Sequence, residues 1–273
     1  VPVEEFARRL QADQDGHIKA VLVTHNETAT AVKSDVHGVR QAMDDANHTA
    51  LLMVDAVSSL ASMDFQMDAW GVDVTITGAQ KGFMLNTGLA IVGVSPKAMA
   101  ATQTATLPRC FFDFNDMANA NKIGSYPYTP PLQLFSGLKA SVELLLNEGM
   151  DNVYARHHRI AEGVRAAVKA WGLELCAQKP ELYSDTVTAI MVPEGKDANL
   201  ITQHAYKAYG VSFGGGLGKM AGKLFRIGHL GAMTDVMALS GIATAEMAMV
   251  DLGYDINLGS GVAAAQRVYR RGA

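Results

Sequence analysis

Short apolar runs that stop abruptly at a polar residue or a glycine dominate the first third of this 273-residue chain. They read Ile18-Lys19-Ala20-Val21-Leu22-Val23-Thr24, Leu51-Leu52-Met53-Val54-Asp55, Val72-Asp73-Val74-Thr75-Ile76-Thr77 and Leu89-Ala90-Ile91-Val92-Gly93-Val94. Nearly continuous apolar runs of this length are the pattern of strands covered on both faces, as parallel strands are. Between the first two runs, residues 34–47 carry helical spacing, with Ser34 as N-cap and Val36, Val39, Met43 and Ala46 on one face. Strands alternating with helices predict an α/β architecture, a mainly parallel sheet with flanking helices. In such sheets ligands sit beyond the carboxyl ends of the strands. His25, Asp55 and Gly78–Lys81 lie at those ends.

Residues 106–131 lose periodicity and are rich in proline and aromatic residues, the pattern of a long structured loop. Helical spacing then takes over through Leu132–Leu146 and Val153–Trp171, with Gly149 and Gly172 as C-terminal breaks. A smaller α+β section follows. Thr186–Val192 reads as a strand, Asn199–Tyr209 as a helix, Leu224-Phe225-Arg226-Ile227 as a strand and Asp235–Leu252 as a helix. The expected organisation is a larger domain over 1–135 and a smaller C-terminal domain over 136–273.

A hydrophobic fraction of 49% with 18% charged residues is that of an ordinary globular protein. The net charge of −4 argues against nucleic acid or an anionic membrane surface as partner. No apolar run reaches membrane-spanning length. Cys110 and Cys176 stand far apart without CxxC spacing, which speaks against a disulfide framework or a zinc site and for a cytoplasmic location. His157-His158 reads as a surface or capping pair rather than as metal ligands, and His229 as a donor to backbone. The Gly214–Gly218 stretch lacks the strand-then-helix setting of a phosphate loop and reads as a turn.

Lys81 and Asp55 carry the chemistry. Lys81 follows an apolar strand and sits among small residues, so its amine is expected to be partly desolvated and nucleophilic toward an aldehyde. Asp55 ends a neighbouring strand, where a carboxylate can hold the proton on a pyridine-type nitrogen. Together they suit an enzyme that binds an aldehyde cofactor as a Schiff base.

His25-Asn26-Glu27-Thr28, Val54-Asp55-Ala56-Val57-Ser58-Ser59 and Gly78-Ala79-Gln80-Lys81-Gly82 resemble the class V aminotransferases, pyridoxal-phosphate enzymes of fold type I. The resemblance continues through Tyr126-Pro127-Tyr128-Thr129-Pro130, Gly215-Gly216-Leu217-Gly218 and Leu224–Gly231, and so covers essentially the whole chain. Phe83-Met84-Leu85, Arg156–Ile160 and Gly259-Ser260-Gly261 point to the serine–glyoxylate and aspartate–glyoxylate subgroup. The resemblance implies that pyridoxal 5'-phosphate is the cofactor, with Lys81 as its Schiff-base lysine and as general base. Asp55 is implied to pair with the ring nitrogen, Val57 to pack under the ring, Gln80 to contact the phosphate or frame the lysine, and Thr28 to bond near the ring hydroxyl. Tyr126 and Thr129 are implied to reach the cofactor phosphate of a neighbouring subunit, making a homodimer with shared active sites. Arg226 is implied to clamp the α-carboxylate of a small amino acid or 2-oxo acid, with serine or aspartate as donor and glyoxylate as acceptor.

Two departures stand out. Asn86-Thr87 replace the two prolines that often follow the Phe-Met-Leu segment in this subgroup, which is expected to loosen the loop beside Lys81. Family members also carry an additional N-terminal segment, so the chain reads as a fragment in which the N-terminal part of the family fold is missing. Two alternatives remain. A cysteine desulfurase-like lyase on the same fold usually has histidine before the lysine and a reactive cysteine; here Gln80 precedes Lys81. A cofactor-free remnant would serve as an interaction module. For an aspartate donor, Arg109 is the candidate partner of the second carboxylate.

Overall fold

The computed structural model describes residues 2–270. In chain order the elements are α1 (Val3–Ala12), β1 (Ala20–Thr24), β2 (Asn26–Glu27), β3 (Val32–Lys33), α2 (Val36–Asp45), β4 (Leu51–Asp55), β5 (Val74–Gly78) and β6 (Ala90–Val94). There follow α3 (Pro96–Ala101), α4 (Phe114–Asn121), α5 (Leu132–Glu148), α6 (Met150–Ala170), β7 (Glu174–Leu175), β8 (Val187–Met191) and α7 (Ala198–Tyr209). The last are β9 (Gly214–Gly215), β10 (Leu224–Gly228), α8 (Asp235–Asp251) and α9 (Ser260–Tyr269). The residues cluster into two compact units. One holds the chain through His25 with Ser34–Val57 and Phe65–Glu143; the other holds Asn26–Lys33, Ser58–Asp64 and the chain from Leu144 onward.

The first unit is built on a four-stranded sheet in the order β1-β4-β5-β6. β1, β4 and β5 run parallel, and Thr24, Asp55 and Ile76 are register partners at their carboxyl ends. β6 is antiparallel to β5, not parallel as its apolar run suggested. The helix between β1 and β4 starts at Val36, and its N-cap is Asp35 rather than Ser34: the Asp35 carboxylate accepts the Gly38 N–H at 2.7 Å. An ionised carboxylate at this position also meets the positive end of the helix dipole.

The sheet is covered on one face only. Val21, Val23, Leu52, Val54, Thr75 and Thr77 are buried, whereas Leu22 is 73% exposed, and Ile76 and Val92 also face outward. The apolar runs thus mark strands correctly, but the second layer expected from them is not part of this unit. At the amino end, Asp73 is buried and accepts from Leu52 N (2.9 Å) and Ser95 Oγ (2.8 Å), pinning the strand entry. The segment expected to be one long loop contains α4, capped by Asp113 and without a buried residue, so no apolar period marks it.

The second unit centres on an antiparallel sheet in the order β7-β8-β10-β9. Its core joins Ile160, Val164 and Val168 of α6 with Ile190, Phe225, Ile242 and Met249. Gly149 breaks the helix as expected, ending α5 and serving at φ 84° as the N-cap of α6, whereas Gly214-Gly215 pair with β10 instead of forming a turn. Glu246 is buried in this core. It accepts from Trp171 Nε1 (2.8 Å) and from the N–H groups of Gly259 (3.0 Å) and Gly261 (2.5 Å), which caps α9 from outside that helix.

His157 is buried as well, not on the surface. Its Nδ1–H donates to Val153 O at 2.7 Å, which leaves Nε2 to accept the Gly231 N–H at 3.0 Å. His229 is equally buried: Nδ1 lies 3.2 Å from Asp185 O and Nε2 2.8 Å from Thr188 Oγ1. Burial pushes both imidazoles down, that of His229 to about 3. A histidine depressed in the folded state binds its proton more readily unfolded. Stability is therefore complete above the unfolded value near 6.5 and falls as pH drops below it. We expect denaturant midpoints to hold from pH 8 to 7 and to decline between about pH 6.5 and 4.5, before most carboxylates titrate. His229→Gln should flatten that decline relative to wild type, read from urea melts across the same pH range.

Candidate active site

In the first unit, the ends of β4 and β5 bring the two residues of greatest chemical interest to neighbouring strands. Asp55 closes β4 and is paired in register with Ile76 of β5. Lys81 stands three residues past the end of β5, in the turn that follows it. Asp55 is exposed, and its Oδ1 accepts the Val57 N–H at 2.9 Å, which fixes the plane of the carboxylate. The Asp55 main-chain oxygen accepts the His25 N–H at 2.9 Å, so the ends of β1 and β4 are tied. The His25 ring is buried against Phe65 and Trp70, with centroids 5.4 and 6.0 Å away, and is a packing residue.

The turn carrying Lys81 is fixed at its base. Ala79 N donates to Leu89 O (3.0 Å), Leu85 N to Ala79 O (3.0 Å) and Met84 N to Lys81 O (2.9 Å). Ser141 Oγ donates to Phe83 O at 2.5 Å. Met84 sits at φ 60°, a conformation that a non-glycine residue holds only when its surroundings impose it. These main-chain and side-chain ties hold the base of the loop. A Cβ at Gly78 would lie 2.7 Å from Gln80 Oε1, so the glycine is what lets Gln80 fold back over the strand end.

Lys81 is half-buried, and among the described residues it makes no hydrogen bond or ion pair; Asp55 has no ion pair either. An unpaired carboxylate and an unpaired amine at adjacent strand ends, beside the open apolar strip of Ile76 and Val92, form a suitable donor set for an aromatic aldehyde with a basic ring nitrogen. Val57, half-buried, follows Asp55 by two residues. Tyr126 and Thr129 lie exposed on the 125–131 loop, where Tyr126 stacks on Phe135 at 4.9 Å. Arg109 does not offer a spare cation: its Nε is bonded to Asp113 Oδ2 at 2.7 Å.

In the second unit, Arg226 of β10 is half-buried. Its Nε donates to Gly215 O at 2.9 Å and Nη1 to Thr28 O at 3.0 Å. It has no ion pair among the described residues, and burial lowers its pKa, with Glu27 acting in the opposite sense. Thr28 Oγ1 donates to Ser58 Oγ at 3.0 Å. Asn26 and Ser58, which sequence reasoning left without a role, complete this network: Asn26 Nδ2 donates to Ser58 Oγ (2.8 Å) and Thr186 Oγ1 (3.0 Å). Residues 26, 58 and 186 share no motif, so only the fold reveals their meeting.

Neither cysteine has a reactive setting. The Cys176 thiol is pushed up by burial, and Cys110 Sγ lies 3.6 Å from Tyr128 Oη. No group of three or more histidine, cysteine or acidic side chains among the described residues could hold a metal.

The class-V aminotransferase family model matches residues 7–216. The L-aspartate–glyoxylate aminotransferase of Paracoccus denitrificans is 65% identical over 99% of this chain and 68% of its own length. The serine–glyoxylate aminotransferase of Hyphomicrobium methylovorum is 56% identical over 100% of this chain and 68% of its own. Among solved structures, pyridoxamine–pyruvate aminotransferase from Mesorhizobium loti superposes with a TM-score of 0.93 at 32% identity, covering 100% of this chain and 70% of that one. The family model and these relatives place the chain in the class-V aminotransferase family, on the fold type I scaffold of pyridoxal-phosphate enzymes.

Proposed function

We propose that the protein transfers the amino group of a small L-amino acid, aspartate or serine, to glyoxylate, giving glycine and the 2-oxo acid of the donor. The observation that carries this reading is the placement of Asp55 at the end of β4 and of Lys81 in the turn after the adjacent parallel strand β5, in a chain 65% identical to an aspartate–glyoxylate aminotransferase. Pyridoxal 5'-phosphate, when bound, supplies an aldehyde to take up the amino group and a ring that withdraws electrons from the substrate Cα. Lys81, Asp55, Val57, Gln80 and Thr28 are the residues of this chain that would hold it.

Asp55 keeps a proton on the ring nitrogen, with its own oxygen plane fixed by Val57 N–H. The Lys81 amine would take the proton from the substrate Cα as a general base and deliver it again as a general acid. Arg226 binds the α-carboxylate shared by amino donor and oxo acceptor; a planar fork gives two parallel charge-assisted bonds. The protein works as a homodimer, in which Tyr126 and Thr129 serve the cofactor of the other protomer. In support of that, they share an exposed stretch with Phe111, Phe112, Tyr128 and Leu132. No helix among the described residues is long and apolar enough to cross a membrane, in keeping with a cytoplasmic enzyme.

The test is a donor panel of L-aspartate, L-serine, L-alanine and L-cysteine on the holoenzyme with glyoxylate as acceptor. Glycine should appear in equal amount to the 2-oxo acid, fastest with aspartate or serine. Sulfide release from cysteine without glycine would instead identify a desulfurase.

A further inference from the structure

We propose that Asn26 is a positioning residue for the substrate: its side-chain amide sets the Thr28 carbonyl that aims the Arg226 guanidinium at an incoming carboxylate. The inference rests on the aminotransferase reading above and extends it to a residue which that reading leaves unassigned.

Arg226 is oriented by two neutral acceptors, Gly215 O on Nε and Thr28 O on Nη1. A guanidinium is rigid and planar, so two such bonds fix the plane in which its remaining N–H groups point. Moving either acceptor turns the fork. Gly215 is held by the sheet itself, because β9 pairs with β10 through Phe225↔Gly215 and Arg226↔Gly214. Thr28 has no such support. It lies just past the last register pair of the β2–β3 hairpin, Glu27↔Val32.

Side-chain bonds hold it instead. Thr28 Oγ1 donates to Ser58 Oγ; Ser58 Oγ donates to Asn26 O at 2.9 Å and accepts from Asn26 Nδ2. A hydroxyl has one proton and two lone pairs. Those of Ser58 are all engaged, so its position is fully determined by Asn26 and Thr28. Asn26 Nδ2 uses its other proton on Thr186 Oγ1, just before β8, and this anchors the chain of bonds to the sheet that carries Arg226.

The other end of the Asn26 side chain argues for function over packing. Asn26 is 3% exposed, and its Oδ1 has no donor among the described residues. A buried acceptor left unpaired is costly, and an apolar residue of similar volume would fill the same space without that cost. The amide is explained by what its Nδ2 holds. The hairpin does not depend on it for docking: Ser184 N donates to Ala31 O at 3.2 Å, and Tyr183 bridges to Val32.

On the holoenzyme, Asn26→Ala is expected to raise KM for both the amino donor and glyoxylate about tenfold, since each brings a carboxylate, with kcat within about twofold of wild type. Inhibition by acetate, a carboxylate that does not turn over, should weaken by the same factor. Ser58→Ala, which cuts the same chain one link nearer Thr28, should reproduce the pattern and decides the matter if the first variant does not fold. Unchanged KM and acetate inhibition in a folded variant overturn the proposal. So does a loss of cofactor absorbance with unchanged KM, which would assign Asn26 to the cofactor. Wild-type protein that makes no glycine sinks the aminotransferase reading itself, whereas active wild type with indistinguishable variants sinks only this one.

Discussion

Replacing Lys81 with alanine is expected to lower the rate of amino transfer by at least about 10³-fold while leaving the fold intact. The first part follows from the absence of any substitute. Among the described residues no other lysine stands at the carboxyl ends of β4 and β5, and Asp55, at the end of β4, is bonded to Val57 N–H. The second part follows from what Lys81 does not touch. Among the described residues its side chain makes no hydrogen bond or ion pair, and the turn is held by main-chain bonds from Ala79, Met84 and Leu85 that alanine retains. Truncating a half-buried side chain without polar partners should move stability by no more than about 0.5 kcal/mol. Glycine formation and a thermal melt, measured on one preparation, check both halves. Near wild-type glycine formation in the variant would remove Lys81 from the scheme.

Exchanging Asp55 for asparagine should cost about 10²–10³-fold in kcat, the usual effect of removing one preorganised electrostatic partner from a reacting group. The amide is nearly isosteric and can still accept the Val57 N–H, so geometry is preserved and only the charge is lost. Among the described residues Asp55 has no ion pair, so the change orphans no side-chain cation of the protein itself. KM for glyoxylate should be little affected, since carboxylate binding is assigned to Arg226. Asp55→Glu keeps the charge but displaces it by one methylene, and should recover part of the lost rate. An Asp55→Asn enzyme with full kcat would mean that the ring nitrogen needs no anionic partner.

The strands at the candidate site are legible in the sequence because β4 is an almost uninterrupted apolar run and β5 alternates valine and isoleucine with β-branched threonine. The end of β4 is marked by the first carboxylate after such a run, and the end of β5 by the small residues before Lys81. Other features were hidden for physical reasons. An apolar run reports that a strand belongs in a sheet, not that both of its faces are covered in this chain, and Leu22 shows the difference. α4 has no buried residue and therefore no period to detect. Burial of His157 could have been read. It falls on the stripe of Val153, Ile160 and Val164, and a polar residue within an apolar stripe is drawn inside by its neighbours. The Asn26–Ser58–Thr186 contact had no such signal, because hydrogen bonds between residues distant in sequence leave no periodicity.

The turn at Lys81 combines a clamped pivot with a loose arm. Its main chain is bolted at Ala79, Phe83 and Leu85, while the amine at the end of four methylenes has nothing to let go of. An amine proposed to take a proton at one atom and release it at another can thus travel by bond rotation alone. The catalytic cycle should proceed without any rearrangement of the segment that carries it.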